Sequence, residues 1–358
     1  MTMIAFVGGG TLGPVTPLLA VARVISRQDR KMRFVWFGTP DGPEKAVVEA
    51  EGYTFVAIPV AKLSRNLGLE LFSFPFDLLR AHREARRVLL QYRPSIIVGA
   101  GGFTQVPVMR EASKLGIPCA IHQLDVVPGL SNRLVAKQCQ SVTTSFTYTH
   151  SPFGRVSFTN IATPVRFSSS NLPSREDACQ HFGFDPKMPV VLVVGGGTGA
   201  QAINRAISES LDQWMRFTQI LHVTGKGKAE TSVVQNASYV QIEFLDAEGM
   251  SMAYGAADVV VTRAGIGALS EMASLSKVAV IVPIPDNQQE ANARAFFEGK
   301  AGVYVEQSQE KFSAKLIHTV KQLLVDKKYS SQMSETVHVF FPTDDGSALA
   351  ERILKLIS

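Results

Sequence analysis

The residues best suited to chemistry lie between Thr262 and Asn292, in TRAGIGALSEMASLSKVAVIVPIPDNQQEAN. Asp258 to Thr262 is a β-branched run that predicts a strand, and Arg263-Ala264-Gly265-Ile266-Gly267 predicts a tight turn. A helix-prone stretch, Ala268 to Ser276, follows and holds one acid, Glu271. Val278 to Val282 predicts the next strand, which empties into Asp286-Asn287-Gln288-Gln289. A glycine turn that opens a helix presents backbone N–H groups to an anion. A carboxylate one turn further on can hold a ribose diol, and side-chain amides offer donors and acceptors to sugar hydroxyls. The combination predicts a nucleotide-sugar site. The charge of a leaving diphosphate would be met there by helix N-termini, glycine-loop N–H groups and a basic side chain such as Arg263.

The rest of the chain supplies the frame for such a site. Ile4 to Val7 predicts a buried strand, and Gly8-Gly9-Gly10-Thr11-Leu12-Gly13 follows it. Pro14 and Pro17 stand where a helix begins, a position that tolerates proline because its missing N–H has no intrahelical partner there. Strands at 34–37, 54–58, 96–100, 118–122 and 141–145 alternate with helical stretches at 43–50 and 107–115, which predicts a parallel sheet built from βαβ units. The Ser-, Asn- and Pro-rich stretch from Asn160 to Ser174 predicts a linker. The pattern then restarts. Val190 to Val194 is followed by Gly195-Gly196-Gly197-Thr198-Gly199-Ala200, a weak repeat of the first strand and glycine loop. The fold class is therefore α/β, with two Rossmann-like halves. Leu349, Ile353, Leu354 and Leu356 are spaced as one face of a terminal helix.

Composition sets bounds on function. At 358 residues, 46% hydrophobic and 19% charged, the chain is an ordinary globular protein of two domains. Three cysteines without metal spacing (Cys119, Cys139, Cys179) fit a reducing compartment. No signal peptide and no apolar run long enough to span a bilayer is legible, so a cytoplasmic protein, soluble or peripheral, is expected. The net charge of +5 is uneven: residues 1–165 hold 18 Lys and Arg against 10 Asp and Glu, and residues 166–358 hold 18 against 21. Segment 62–93 concentrates both signals. Leu67, Leu69, Leu71, Phe72, Phe74, Phe76, Leu78 and Leu79 are interrupted by Pro75 and accompanied by Lys62, Arg65, Arg80, Arg83, Arg86, Arg87 and Arg93. It reads either as a core helix with a solvated basic face or as an element that dips into an anionic leaflet. No nucleic-acid partner is expected.

Several chemistries find no support. A strict GxGxxG with a ribose-reading acid is absent, Gly225-Lys226-Gly227-Lys228 lacks the rest of a phosphate-loop motif, and no Asp-x-Asp pair or His/Cys cluster has metal spacing. No cofactor or obligatory metal is expected.

The spaced motifs together resemble one family. They are GGGTLGPVTPLLAVA at 8–22, Gly101-Gly102-Phe103 with Pro107, HQLDVVPGLSNR at 122–133, TPVR at 163–166, VVGGGTGAQAIN at 193–204, and RAGIGALSE with DNQQEANA in the stretch first described. The chain resembles the MurG family, the UDP-N-acetylglucosamine transferases that act on undecaprenyl-diphospho-N-acetylmuramoyl-pentapeptide. The resemblance implies a GT-B fold, with parallel sheets of two Rossmann-like domains facing across a cleft. Residues 1–164 would bind the acceptor and the membrane, 165–341 would bind the donor, and 342–358 would cross back as a helix. The implied reaction is inverting transfer of N-acetylglucosamine to the muramoyl 4-hydroxyl, on the inner face of the cell membrane. Partners would be UDP-N-acetylglucosamine, the undecaprenyl-linked muramoyl-pentapeptide, and an anionic membrane surface met by 62–93.

By position, the resemblance implies that Glu271 binds the uridine ribose and that Gln288 and Gln289 bind the sugar hydroxyls. Arg263, Gly265 and the loop Gly196, Gly197, Thr198, Gly199 would lie by the nucleotide and diphosphate. Thr11, Gly13, Arg166, Asn204 and Asn292 would be further substrate contacts. The chain also departs from the family. Pro14 stands where members carry a histidine, and His122-Gln123-Leu124-Asp125 stands for His-Glu-Gln-Asn. An inverting transfer needs a base within reach of the incoming hydroxyl, and Asp125 or His122 is the expected one. Rival readings are a UDP-N-acetylglucosamine 2-epimerase, a diacylglycerol-dependent glycolipid synthase, and a UDP-sugar-binding homologue impaired in catalysis.

Overall fold

The computed structural model describes residues 2–59, 70–195, 200–229, 236–307 and 310–357, with the backbone alone for 70–74. The chain forms two compact units, one of residues up to Arg166 together with those from Asp344, the other of Phe167–Thr343.

The first unit is a seven-stranded parallel sheet. In chain order it contains β1 (Met3–Val7), α1 (Val15–Gln28), β2 (Arg33–Gly38), α2 (Glu44–Ala50), β3 (Thr54–Ala57), α3 (Glu70–Tyr92) and β4 (Ile96–Gly99). α4 (Gln105–Lys114), β5 (Cys119–Gln123), α5 (Leu130–Val135), β6 (Ser141–Thr144) and β7 (Thr159–Asn160) complete it. Its strand order is β3-β2-β1-β4-β5-β6-β7. Ile4 pairs with Phe34 on one side and Ile96 on the other. Strands covered by helices on both faces are apolar along their whole length, which is why these runs are continuous rather than alternating. Ala5, Val35, Ile97, Ile121, Val88 and Val108 are all fully buried in one core. The proline at 75 does not end the basic segment's helix: α3 runs through it. Pro75 lies in the second turn of α3, where its missing N–H forfeits a single backbone bond.

The expected linker is partly ordered. A short β8 (Thr163–Pro164) lies within it, and Val165 N–H donates to Asp344 O at 2.8 Å. Ser174 caps the next helix, its Oγ accepting from Asp177 N–H at 3.1 Å. The C-terminal helix Ser347–Ile357 packs Leu349, Ala350 and Ile353 into the first unit beside α1. Its entry is capped by Asp344, which accepts from Gly346 and Ala348 N–H.

The second unit repeats the plan with six parallel strands. It contains α6 (Arg175–Phe182), β9 (Val190–Val194), α7 (Gln201–Ser208), α8 (Leu211–Trp214), β10 (Gln219–Val223), β11 (Tyr239–Ile242) and α9 (Ala247–Ala256). β12 (Val259–Thr262), α10 (Ile266–Ser274), β13 (Val278–Ile281), α11 (Gln289–Glu298), β14 (Val303–Tyr304), α12 (Phe312–Val325) and α13 (Lys327–Phe340) follow. The order is β11-β10-β9-β12-β13-β14. Val191, Val261, Val280, Ile203, Leu316 and Val320 form its core.

Candidate active site

In an open parallel sheet, ligands bind beyond the carboxyl ends of the strands where the strand order reverses, because loops leave that point in opposite directions. The reversal falls between β9 and β12 in the second unit and between β1 and β4 in the first. The glycine turns at 8–10 and 101–102 and the one at Gly265 lie at these two places.

In the second unit β12 ends at Thr262, and Gly265 begins α10 with extended backbone and no side-chain cap. The first-turn N–H groups of such a helix have no intrahelical acceptor, which is the condition for holding an anion. Glu271 follows on the same helix, only 7% exposed. Tyr254, on α9 and itself buried, donates its hydroxyl to Glu271 Oε2 at 2.7 Å. Two residues of α11 close over the turn. Asn292 is fully buried and donates to Ala264 O at 3.1 Å, and a Cβ added at Gly265 would lie 4.0 Å from Gln289 Nε2. Gln289 Oε1 in turn accepts from Ile284 N–H at 3.3 Å. Gln288 is exposed at the N-cap of α11. Asp286 precedes it in the left-handed region, at φ 55°, and its N–H donates to Glu290 Oε1. The structure thus brings Gly265, Gln289 and Asn292 together, with Glu271 further along the helix that Gly265 opens.

Two expected contacts turn inward instead. Arg263 is 8% exposed, and its Nη1 donates to Val282 O at 3.1 Å and to Pro283 O at 3.0 Å. Burial lowers its pKa from the ordinary value. Arg263 is expected by the nucleotide and diphosphate; in the structure its Nη1 ties the end of β12 to the end of β13, because two carbonyls leaving the sheet need donors. Asn204 is 2% exposed and donates to Thr224 O at 3.0 Å, while its Oδ1 lies 3.1 Å from His222 Nε2. It anchors the loop after β10 rather than reaching a substrate. The Gly196, Gly197, Thr198, Gly199 loop and the 62–69 part of the basic segment lie outside the described residues.

In the first unit two glycine turns touch. A Cβ on Gly8 would come within 2.9 Å of Gly101 O, and one on Gly102, at φ 103°, within 2.9 Å of Gly9 N and O. Only glycine permits that approach of backbone to backbone. Glu44 holds the first turn. Its fully buried carboxylate accepts from Gly10 N–H at 3.2 Å and from both Thr39 N–H and Thr39 Oγ1 at 2.6 Å. Thr11 stands exposed at the tip, and Gly13 leads into α1.

A chain of buried amides joins the second turn to the loop after β5. Gln105 Oε1 accepts from Gly101 N–H at 2.7 Å, and its Nε2 donates to Asn132 Oδ1 at 2.6 Å. Asn132 Nδ2 donates to Gln123 Oε1 at 2.6 Å, and Gln123 Nε2 donates to Asp125 O at 2.9 Å. Tyr148 Oη also donates to Asp125 O, at 3.1 Å. Burial first, and the charge of Asp125 second, push the Tyr148 pKa up to about 12. Asp125 is half-buried at this loop, and Arg166 is half-buried at the end of the unit's first segment.

His122 does not qualify as the base. It is fully buried on β5, and its Nδ1 lies 2.9 Å from Thr143 Oγ1, which itself donates to Ile121 O at 3.2 Å. Nδ1 therefore carries the proton, and Nε2 accepts from Ser145 Oγ at 3.1 Å. Both nitrogens are engaged, and burial lowers its pKa to about 3. Of the two expected bases, Asp125 alone is accessible. The residues that sequence reasoning missed are Tyr254, Glu44 and the trio Gln105, Asn132 and Gln123. The last two stood inside a quoted motif, but nothing in their spacing marked them as partners.

Comparison with known proteins identifies the family. Residues 4–144 match the glycosyltransferase family 28 N-terminal domain, and residues 190–344 match its C-terminal domain. A UDP-N-acetylglucosamine--N-acetylmuramyl-(pentapeptide) pyrophosphoryl-undecaprenol N-acetylglucosamine transferase of a Nocardioides species is 35% identical over 363 residues, covering 98% of this chain and 96% of that protein. The protein of the same name from Paenarthrobacter aurescens is 33% identical over 368 residues, covering 99% and 96%. The chain belongs to this MurG family of glycosyltransferases. Among solved structures, MurG of Acinetobacter baumannii superposes with a TM-score of 0.72 at 24% identity, covering 99% of this chain and all of that one. The UDP-GlcNAc 2-epimerase of Neisseria meningitidis reaches 0.70 at 12% identity, a likeness of fold alone. This family member is thus a glycosyltransferase of GT-B architecture.

Proposed function

We propose that this family member transfers N-acetylglucosamine from UDP-N-acetylglucosamine to the 4-hydroxyl of undecaprenyl-diphospho-N-acetylmuramoyl-pentapeptide, with inversion. The observation that carries the reading is the buried Glu271 on a helix opened by Gly265 where the strand order reverses, in a chain whose full-length relatives bear that activity in their names. Glu271 takes the ribose diol, Gln288 and Gln289 the sugar hydroxyls, and the α10 N-terminus, Gly265 and the 196–199 loop the diphosphate. Asn292 acts by fixing the turn. The two touching glycine turns of the first unit, with Thr11 and Gly13, receive the acceptor's diphosphate end, and Arg166 adds a positive charge. The Asp125 carboxylate removes the proton of the incoming hydroxyl. That oxygen attacks the anomeric carbon from the face opposite UDP, and the bond to UDP breaks with its electron pair on the phosphate.

A membrane-resident acceptor accounts for the surface of the first unit. Phe76, Leu79, Phe103, Val127, Leu130 and Leu134 are all exposed, and Arg80, Arg83, Arg86 and Arg133 beside them in the chain are exposed too. Apolar insertion and attraction to anionic lipid add in such an arrangement. None of the described helices is long and apolar enough to cross a membrane. The test is UDP release by the full chain with the muramoyl-pentapeptide lipid, with a diacylglycerol, and with donor alone. Release with the first only is expected. Release with diacylglycerol, or epimerised sugar nucleotide without acceptor, overturns the reading. Asp125→Asn should lower turnover at least ~100-fold with little change in donor KM, the size of a general-base contribution. Near-normal turnover removes Asp125 from that role.

A further inference from the structure

We propose that Tyr254 is a positioning residue for the donor's ribose, acting through Glu271; the inference rests on the donor reading given above. The two side chains come from different helices, α9 and α10, and meet where both are buried, 1% and 7% exposed. A carboxylate on a helix rotates about its terminal bonds, and each rotation redirects its lone pairs. The 2.7 Å bond from the Tyr254 hydroxyl to Oε2 removes that freedom. A carboxylate offers about four lone-pair sites, and this bond takes one of them. The phenol is itself held. Its ring packs edge-on against Phe167 at 5.5 Å and 73°, and the Phe167 carbonyl accepts from Ser274 Oγ at 2.7 Å. Ser274 ends α10, the helix that carries Glu271. A closed circuit, Glu271–Tyr254–Phe167–Ser274, therefore returns to its own helix. A carboxylate kept solely to complete a fold would be better replaced by an apolar side chain, because burying it costs desolvation. Fixing it in one orientation matters when a ligand with two hydroxyls at set spacing must find both lone-pair directions already in place.

The experiment compares UDP with a dideoxyribose analogue of UDP that lacks both ribose hydroxyls, binding each to the full chain by calorimetry. Wild type should prefer UDP. Tyr254→Phe should weaken UDP about tenfold and leave the analogue unchanged, because the defect lies in the contact the analogue never makes. Glu271→Gln should abolish the preference altogether. Equal weakening of both ligands by Tyr254→Phe overturns the proposal, since it marks a packing role. A full preference retained in Tyr254→Phe but lost in Glu271→Gln overturns it while leaving the donor reading intact. No preference in wild type overturns both. Thermal melting of the two variants accompanies the titrations. A Tyr254→Phe protein that melts with wild type yet discriminates poorly between the ligands is the expected result.

Discussion

Replacing Asn132 by leucine tests the buried amide chain of the first unit. The two side chains have the same heavy-atom count and branching, so the change removes the hydrogen bonds while keeping the outline of the side chain. Two partners are stranded. Gln105 Nε2 loses its 2.6 Å acceptor, and Gln123 Oε1 loses its 2.6 Å donor. Both glutamines are at most 1% exposed, so water does not replace what is lost. Leaving a buried donor or acceptor unmade costs about 1–3 kcal/mol each, which sets the loss at about 2–6 kcal/mol. That is a large part of the ~5–15 kcal/mol that stabilises a folded domain. The chain has two tryptophans, one per unit, and both are buried: Trp36 in the first and Trp214 in the second. In a Trp214→Phe background, fluorescence reports urea unfolding of the first unit alone. Asn132→Leu should lower that unit's midpoint by the stated amount. In a Trp36→Phe background, the second unit's transition and UDP affinity should stay within twofold. A first-unit loss below ~1 kcal/mol would show that the three amides do not form a closed network.

Other expectations follow from single features. Burial holds His122 neutral with a pKa near 3, while the unfolded chain takes up that proton near pH 6.5. The unfolded state thus binds more protons between those values, so stability contributed by neutral His122 is present above about pH 6.5 and is lost as pH falls toward 3. Trp36-monitored unfolding of His122→Gln should show a shallower acid slope than wild type; equal slopes would contradict the assignment. Gly102→Ala forces a Cβ into 2.9 Å contact with Gly9 at positive φ, and should destabilise the first unit by about 1–3 kcal/mol and raise the acceptor KM more than the donor KM. Phe76→Asp with Leu130→Asp should lower binding to vesicles of anionic lipid at least ~10-fold, while activity on a short-chain, water-soluble acceptor persists. Unchanged vesicle binding would move the membrane face elsewhere.

Much of this molecule was legible along the chain. Both sheets announced themselves as unbroken apolar runs, because strands covered on two faces have no solvent side to alternate with. The glycine turns at 8–10, 101–102 and 265, and Glu271 beyond the last, could be named from type and spacing. Pro75 interrupts the apolar run in the sequence but not the helix, since a proline near a helix start forfeits only one bond.

What spacing could not supply was direction. Arg263 and His122 were named for what their side chains can do, and each is spent on partners from neighbouring strands: Val282 and Pro283 for one, Thr143 and Ser145 for the other. Tyr254 went unnoticed because its partner lies 17 residues away on another helix. Where backbone must turn tightly and which runs must be buried can be read along the chain, since glycine conformation and apolar periodicity are local properties. Which polar groups remain available for a substrate depends on how the chain packs. Buried donors and acceptors must be paired, and the pairs are drawn from whatever the parallel topology places alongside.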